Sequence, residues 1–232
     1  MHPISGLLCV TCGERVDGPY VLDGEIRCAL CRRSEPPYVK ATAYGSYEGG
    51  LRELIHLLKY EQVRPAANVL GRMLAEAIED LRPLFAEKPT VVPVPLHARK
   101  LRQRGFNQAE LIARAARKLM PAEGRPELSP GVLQRCRETQ SQIGLSRHQR
   151  RENMRGAFAV VKPEEIQGRE VLLVDDVFTT GTTASECARV LRRAGASKIF
   201  VATVARTLKV EAQRVTPQCK TEEVRAEAVA AG

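Results

Sequence analysis

An α/β fold built on a parallel sheet, with a small cysteine module ahead of it, is what this sequence predicts, and three observations predict it. Val171-Leu172-Leu173-Val174 and Thr90-Val91-Val92-Pro93-Val94 are short apolar, largely β-branched runs, as strands buried on both faces require. Each leads through a polar joint into residues spaced for a helix: Cys187, Ala188, Val190, Leu191 and Ala194 after the first, and the stretch from Ala109 to Leu119 after the second. Four of the seven cysteines crowd into the first 31 residues, while Cys136, Cys187 and Cys219 are scattered and read as reduced, structural thiols. The expected division is a metal module over 1–37, a main domain over 38–206 and a tail over 207–232.

Cys9-Val10-Thr11-Cys12 and Cys28-Ala29-Leu30-Cys31 form a C-x₂-C…C-x₂-C pattern, the spacing of a four-thiolate structural Zn²⁺ site. Two residues between thiolates let one tight turn present both sulfurs to the same ion. Between the pairs, Tyr20 to Ile26 reads as a hairpin turning at Asp23-Gly24. Pro36-Pro37 closes the module and Tyr38 to Tyr47 is a connecting strand. Leu51 to Tyr60 is an amphipathic helix with Leu51, Leu54, Ile55 and Leu58 on its apolar side, closed by Lys59-Tyr60. Pro65 to Leu84 holds a second helix, which Pro83 ends.

The two joints carry the chemistry. The run at Val174 meets two adjacent carboxylates, Asp175 and Asp176, where the strand is expected to stop, and then Thr179-Thr180-Gly181-Thr182-Thr183. A glycine–hydroxyl loop entering a helix is an anion site, because orphan N–H groups carry the positive end of the helix dipole. Carboxylates repel phosphate. The conflict resolves if the ligand also carries sugar hydroxyls, which carboxylates accept, or if a divalent cation bridges the two. The simplest alternative, Thr180 or Thr182 capping the helix, accounts for one threonine. A phosphoacceptor receiver domain needs a later aspartate, and none follows Asp176. Neither the P-loop nor the dinucleotide glycine fingerprint is present. At the second joint, Pro95, Leu96 and His97 run into a basic loop with Arg99, Lys100, Arg102 and Arg104. Ligands gather at the carboxyl ends of parallel strands, so the two joints are expected to converge on one polyphosphate.

The acid pair followed by the threonine–glycine loop resembles the binding motif of type I phosphoribosyltransferases. Leu58-Lys59-Tyr60, Val92-Pro93-Val94-Pro95-Leu96-His97, Arg102-Gln103-Arg104-Gly105-Phe106-Asn107-Gln108, Thr139-Gln140, Arg151-Glu152-Asn153 and Val174-Asp175-Asp176-Val177, following a four-cysteine module, stand in the order seen in the ComF family. The resemblance spans roughly residues 5 to 206. It implies a type I phosphoribosyltransferase-like parallel sheet flanked by helices, beside a zinc-ribbon-like module. It implies binding of phosphoribosyl pyrophosphate with Mg²⁺: Asp175 and Asp176 on ribose hydroxyls, residues Thr179 to Thr183 on the 5-phosphate, and Pro95, Leu96, His97, Arg99, Lys100 and Arg104 on pyrophosphate. Through the family's link to natural transformation it implies single-stranded DNA, with competence helicase or recombination proteins as partners.

Past the polar break from Gly124 to Ser129, Leu133 to Arg137 reads as a strand. The polar run that includes Arg137, Thr139 and Gln140 stands where related transferases carry a closing flap. Leu145 to Met154 is a short basic helix, and Arg147, Arg150, Arg151 and Arg155 would join Arg99, Lys100, Arg102 and Arg104 as a nucleic-acid phosphate track. Gly156 to Val161 and Ser197 to Arg206 hold the remaining strands. The tail after Thr207 has no aromatic residue, so a base-stacking hood must come from Tyr38, Tyr44, Tyr47 or Tyr60.

The 232 residues carry a formal charge of +9, which favours polyanionic partners, polymer or small molecule. No apolar run approaches the ~18–20 residues of a membrane span, which predicts a cytoplasmic protein with no membrane partner. Binding and catalysis would use the same loop and no general base stands out, so the residues alone separate neither a transferase from a binding protein nor a DNA-handling protein from a salvage enzyme acting on a nucleobase.

Overall fold

The computed structural model describes residues 4, 6–16, 21, 22, 24–123, 125–139 and 146–208, with backbone alone at 21, 22, 147, 150 and 151. The module opens with two antiparallel strands, β1 (Val21–Leu22) and β2 (Glu25–Ile26), and the short helix α1 (Ala29–Arg33). Asp23 of the expected hairpin turn lies outside the described residues. Strand β3 (Lys40–Ser46) follows, then α2 (Gly49–Tyr60) and α3 (Ala66–Glu79). The second helix stops at Glu79, short of the expected Leu84. Pro83 sits instead inside a separate 3₁₀ turn, Arg82–Leu84, at a position where its missing N–H costs nothing.

Strand β4 (Thr90–Pro93) leads into α4 (Ala98–Arg104) and α5 (Gln108–Leu119). The antiparallel ribbon β5 (Leu133–Arg135) and β6 (Phe158–Val160) brackets α6 (Arg147–Met154). The chain then enters β7 (Val171–Phe178), α7 (Thr182–Arg193) and β8 (Ile199–Arg206). The central sheet is four-stranded, in the order β3-β8-β7-β4, and wholly parallel. Leu172, Val174, Phe200 and Ala202 pack on α2, α3 and α5, while Leu173, Val171, Val201 and Ile199 pack with α7, the ribbon and the cysteine module. Both faces are covered, which is why β7 and β8 read as unbroken apolar runs.

Two expectations are corrected here. Strand β7 does not end at the acid pair but continues to Phe178, with Asp175 opposite Thr203 and Phe178 opposite Arg206 of β8. Strand β4 pairs only as far as Val174, so β7 loses one neighbour at the acid pair and keeps the other, and the ladder to β8 carries it on. The basic segment after β4 is a helix rather than a loop: Ala98 to Arg104 holds no glycine or proline, the His97 ring accepts the Arg99 N–H at its start, and Gly105 takes a left-handed conformation at its end.

Candidate functional site

The carboxyl end of β4 lies beside Val174 of β7, one residue before the acid pair, because the two strands are parallel neighbours. At the end of β7, successive side chains address opposite faces of the sheet. Asp176 is buried on the helix-covered face and forms an ion pair with Lys59 of α2. Asp175 faces the other way, in the field of Arg135 and near Cys187, and its Oδ1 accepts the Asp176 N–H at 2.9 Å. Burial works to raise the Asp176 carboxyl, but the Lys59 ammonium and hydrogen bonds with Lys59 and Asp175 together hold it below the ordinary value. Burial likewise works to lower Lys59, and Asp176 reverses the direction. Asp175 is pushed well up, by burial first and then by the neighbouring Asp176 charge. Two adjacent aspartates are thus unlike groups, one an ion-paired carboxylate and one an acid held toward its neutral form.

Beyond Phe178 the chain turns through Thr179 and Thr180 to Gly181, the residue before α7. Gly181 has φ 73°, and a Cβ there would lie 2.7 Å from the Phe178 ring. Glycine is required on both counts. Neither Thr180 nor Thr182 caps the helix; their hydroxyls bond each other at 2.8 Å. The first turn of α7 therefore receives no side-chain acceptor from its cap residue, and the positive end of the helix dipole there favours an anion.

Beside the acid pair is a gathering of cations from three elements, Lys59 of α2, Lys100 and Arg104 of α4, and Arg135 of β5. The Lys100 ammonium is depressed by burial first and then by the positive charges of Arg135, Arg104 and Lys59. The Arg104 guanidinium also lies 5.8 Å from the Tyr60 ring centroid and donates to Gln108. Arg135, at the end of β5, is bridged to His97 in parallel pairing and stacks on Phe158. Its Nε is buried and without a partner among the described residues. Four cations gathered beside the acid pair form a field that a polyphosphate would relieve.

Two of these residues, Lys59 and Arg135, were missed as site residues. Lys59 lies four residues after Ile55 and eight after Leu51, on the buried stripe of α2, where a lysine demands an acidic partner. That was the available signal. Arg135 had none, because only the folded ribbon carries it beside His97. Other expected residues take different work. Arg137 donates to the carbonyls of Asn153 and Arg155 at 2.8 and 2.9 Å, tying down the end of α6 instead of standing free in a flap. Thr139 is buried and accepts from Arg135. Gln140 lies outside the described residues. Arg99 is exposed and pairs with Glu138 at 3.3 Å, and Arg102 is exposed. Arg155 is exposed, and the side chains of Arg147, Arg150 and Arg151 lie outside the description. Pro95 and Leu96 occupy the turn after β4, as expected. Of the tyrosines that could form a hood, Tyr38 is buried edge-on against Phe178, whereas Tyr60 is 63% exposed. Cys187 is buried as a structural thiol should be, Cys136 is exposed, contrary to expectation, and Cys219 lies outside the described residues.

Cys9, Cys12, Cys28 and Cys31 are all buried, with sulfurs within 4.8 Å of one another. The Cys12 and Cys28 sulfurs are 3.6 Å apart. A disulfide needs about 2.05 Å, whereas a tetrahedral ion bound at about 2.3 Å sets sulfurs about 3.8 Å apart. The four residues therefore fit a metal ion. The module is keyed to the sheet through Arg206, at the end of β8, which donates to the Cys12 carbonyl and to Glu14. The guanidinium of Arg206 lies 5.0 Å from the centroid of the Phe178 ring that packs under Gly181.

Comparison with known proteins agrees with this architecture. A family model described as phosphoribosyl transferase domain matches residues 111–228, which include β7, the acid pair and the hydroxyl loop. "Competence protein F" of Haemophilus influenzae is 34% identical over 217 residues, covering 89% of this chain and 93% of that protein. "DNA utilization protein YhgH" of Escherichia coli K12 is 32% identical over 203 residues, covering 87% and 85% respectively. "Competence protein ComFC" of Bacillus subtilis is 25% identical over 197 residues, covering 84% and 75%. No helix among the described residues is long and apolar enough to cross a membrane.

Proposed function

The chain belongs to the ComF family of competence and DNA-utilization proteins and carries a phosphoribosyl transferase domain, and from that premise we propose that it binds phosphoribosyl pyrophosphate with Mg²⁺ and acts in the cytoplasm in the handling of single-stranded DNA during natural transformation. The observation that carries this reading is the meeting, at the carboxyl edge of β4 and β7, of an acid pair, an uncapped glycine–hydroxyl loop and four cations.

In this reading Thr179 to Thr183 and the first N–H groups of α7 hold the 5-phosphate. Asp175 and Asp176 take the ribose hydroxyls. Lys59 cancels one carboxylate charge, so that the acid pair does not repel the phosphates beside it. Lys100, Arg104 and Arg135, with the turn at Pro95–His97, receive the pyrophosphate. Bound Mg²⁺ would neutralise the pyrophosphate and favour its departure. The protein's own contribution is positioning and preorganised charge. The four cysteines hold Zn²⁺ and keep the module seated over Arg206. Arg99, Lys100 and Arg102, exposed on α4, and Arg155 beyond α6 provide the phosphate track for a strand.

Isothermal titration of the zinc-loaded protein with phosphoribosyl pyrophosphate and Mg²⁺ tests the small-molecule site. Saturable binding that falls at least about tenfold in Asp175→Asn is expected. Asp175→Asn is the suitable variant because it leaves the Lys59–Asp176 pair whole. Affinity equal to that of the parent protein removes the acid pair from the site. Binding of single strands must weaken steeply with added salt; a flat dependence refutes the phosphate track.

A further inference from the structure

The hydroxyl loop is open on its far side. A groove of 710 Å³ runs between it and the cysteine module, with Thr179, Thr180 and Thr182 along one wall and Leu30, Arg33 and Pro37 along the other. Its floor holds Glu14 and Arg206, 5% and 3% exposed, and Glu14 Oε1 and Arg206 Nε have no partner among the described residues. A pocket that receives only a terminal phosphate monoester needs no such opening, because nothing extends past the phosphate. A groove of ligand size continuous with the phosphate loop, with the buried Glu14–Arg206 ion pair beneath it, fits a phosphate that carries a further substituent.

The acid pair restricts what that ligand can be. It accepts hydrogen bonds from free sugar hydroxyls, and within a polynucleotide the 3′-oxygen of every internal residue is esterified. Only the residue at a 3′ end combines a 5′-phosphodiester with a free 3′-hydroxyl. We propose that the site recognises the 3′-hydroxyl end of a single strand, with the terminal sugar on the acid pair, its 5′-phosphodiester on the hydroxyl loop and the preceding nucleotide in the groove beside the cysteine module. This rests on the reading of the loop as a sugar-phosphate site. It makes the small molecule and the strand competitors for one place, and it assigns the module a wall of the binding site.

Short labelled oligonucleotides of one sequence, ending in a deoxyribose 3′-hydroxyl, a ribose end, a dideoxy end or a 3′-phosphate, and the same sequence as a closed circle, separate the possibilities when titrated against the full zinc-loaded chain. The 3′-hydroxyl strand is expected to bind about tenfold or more tightly than the dideoxy, 3′-phosphate and circular forms, and to be displaced by phosphoribosyl pyrophosphate. The ribose end, with two hydroxyls for the pair, is expected to bind more tightly than the deoxyribose end. Equal affinity for all forms overturns the proposal and leaves only the phosphate track. If phosphoribosyl pyrophosphate itself fails to bind, the underlying reading falls instead. Ser34→Trp, at an exposed position on the module wall, narrows the groove from the side opposite the loop. It is expected to lose the preference for 3′-hydroxyl ends and keep phosphoribosyl pyrophosphate binding; an unchanged preference removes the groove from the site.

Discussion

The two strand-to-helix joints at the carboxyl edge of the sheet are built on different plans. The joint after β7 is local: acid pair, hydroxyls, glycine and helix start follow one another along the nine residues from Asp175 to Thr183, and each does its work where it stands. The joint after β4 is a meeting place. Its own segment coils into α4, and the charge at its centre comes from Lys59 on α2 and Arg135 on β5 as much as from Lys100 and Arg104. A contiguous site can be broken by changing the shape of its backbone, and a dispersed one by removing a distant partner.

The largest effect is expected on the dispersed side. Lys59→Met leaves Asp176 buried without its counter-charge and should cost about 3–5 kcal/mol in urea unfolding. The double variant Lys59→Met with Asp176→Asn should recover most of that loss, and failure to recover would mean that Lys59 stabilises α2 by packing alone. On the contiguous side, Gly181→Ala meets both the Phe178 ring and a positive φ, and should cost about 2–4 kcal/mol as well as abolish binding of the 5-phosphate. Gly105→Ala, at the end of α4, has the same φ problem but only Arg64 Nη2 at 3.8 Å, and should cost about 1 kcal/mol. Similar losses at the two glycines would erase the distinction between the joints.

A subtler difference concerns pH. Asp175, with its folded value raised, contributes stability that is present below the unfolded value of about 3.9 and lost as pH rises toward the folded one. Asp176, with its folded value lowered, contributes stability above that unfolded value and loses it as pH falls further. Asp175→Asn should therefore raise the melting temperature of the ligand-free protein at neutral pH, and Asp176→Asn should lower it. The smallest effect belongs to Arg99→Ala, which removes an exposed pair with Glu138 and should change stability by no more than about 0.5 kcal/mol.

The same contrast governs how far the sequence could be read. The sheet, the cysteine cluster and the order of acid pair, loop and helix were legible because each signal is carried by neighbours in the chain. That β7 runs past its aspartates was not, since two charges normally end an apolar strand and only the ladder to β8 overrides them. Arg137 was expected in a flap and is engaged by two carbonyls of the α6 terminus, which are far from it in the chain. Lys59 was within reach of periodicity, but its place at the last turn of α2 made it look like a helix end.

The sheet order also sets a timetable. Among the described residues strand β3 pairs only with β8, so Lys40 waits for Phe200 and that edge of the sheet stays open until β8 has left the ribosome. Arg206, the final residue of that strand, is also the one that seats the cysteine module. A nascent chain can gather its four thiols early, yet it has nothing to dock them on until nearly all of the domain has been made.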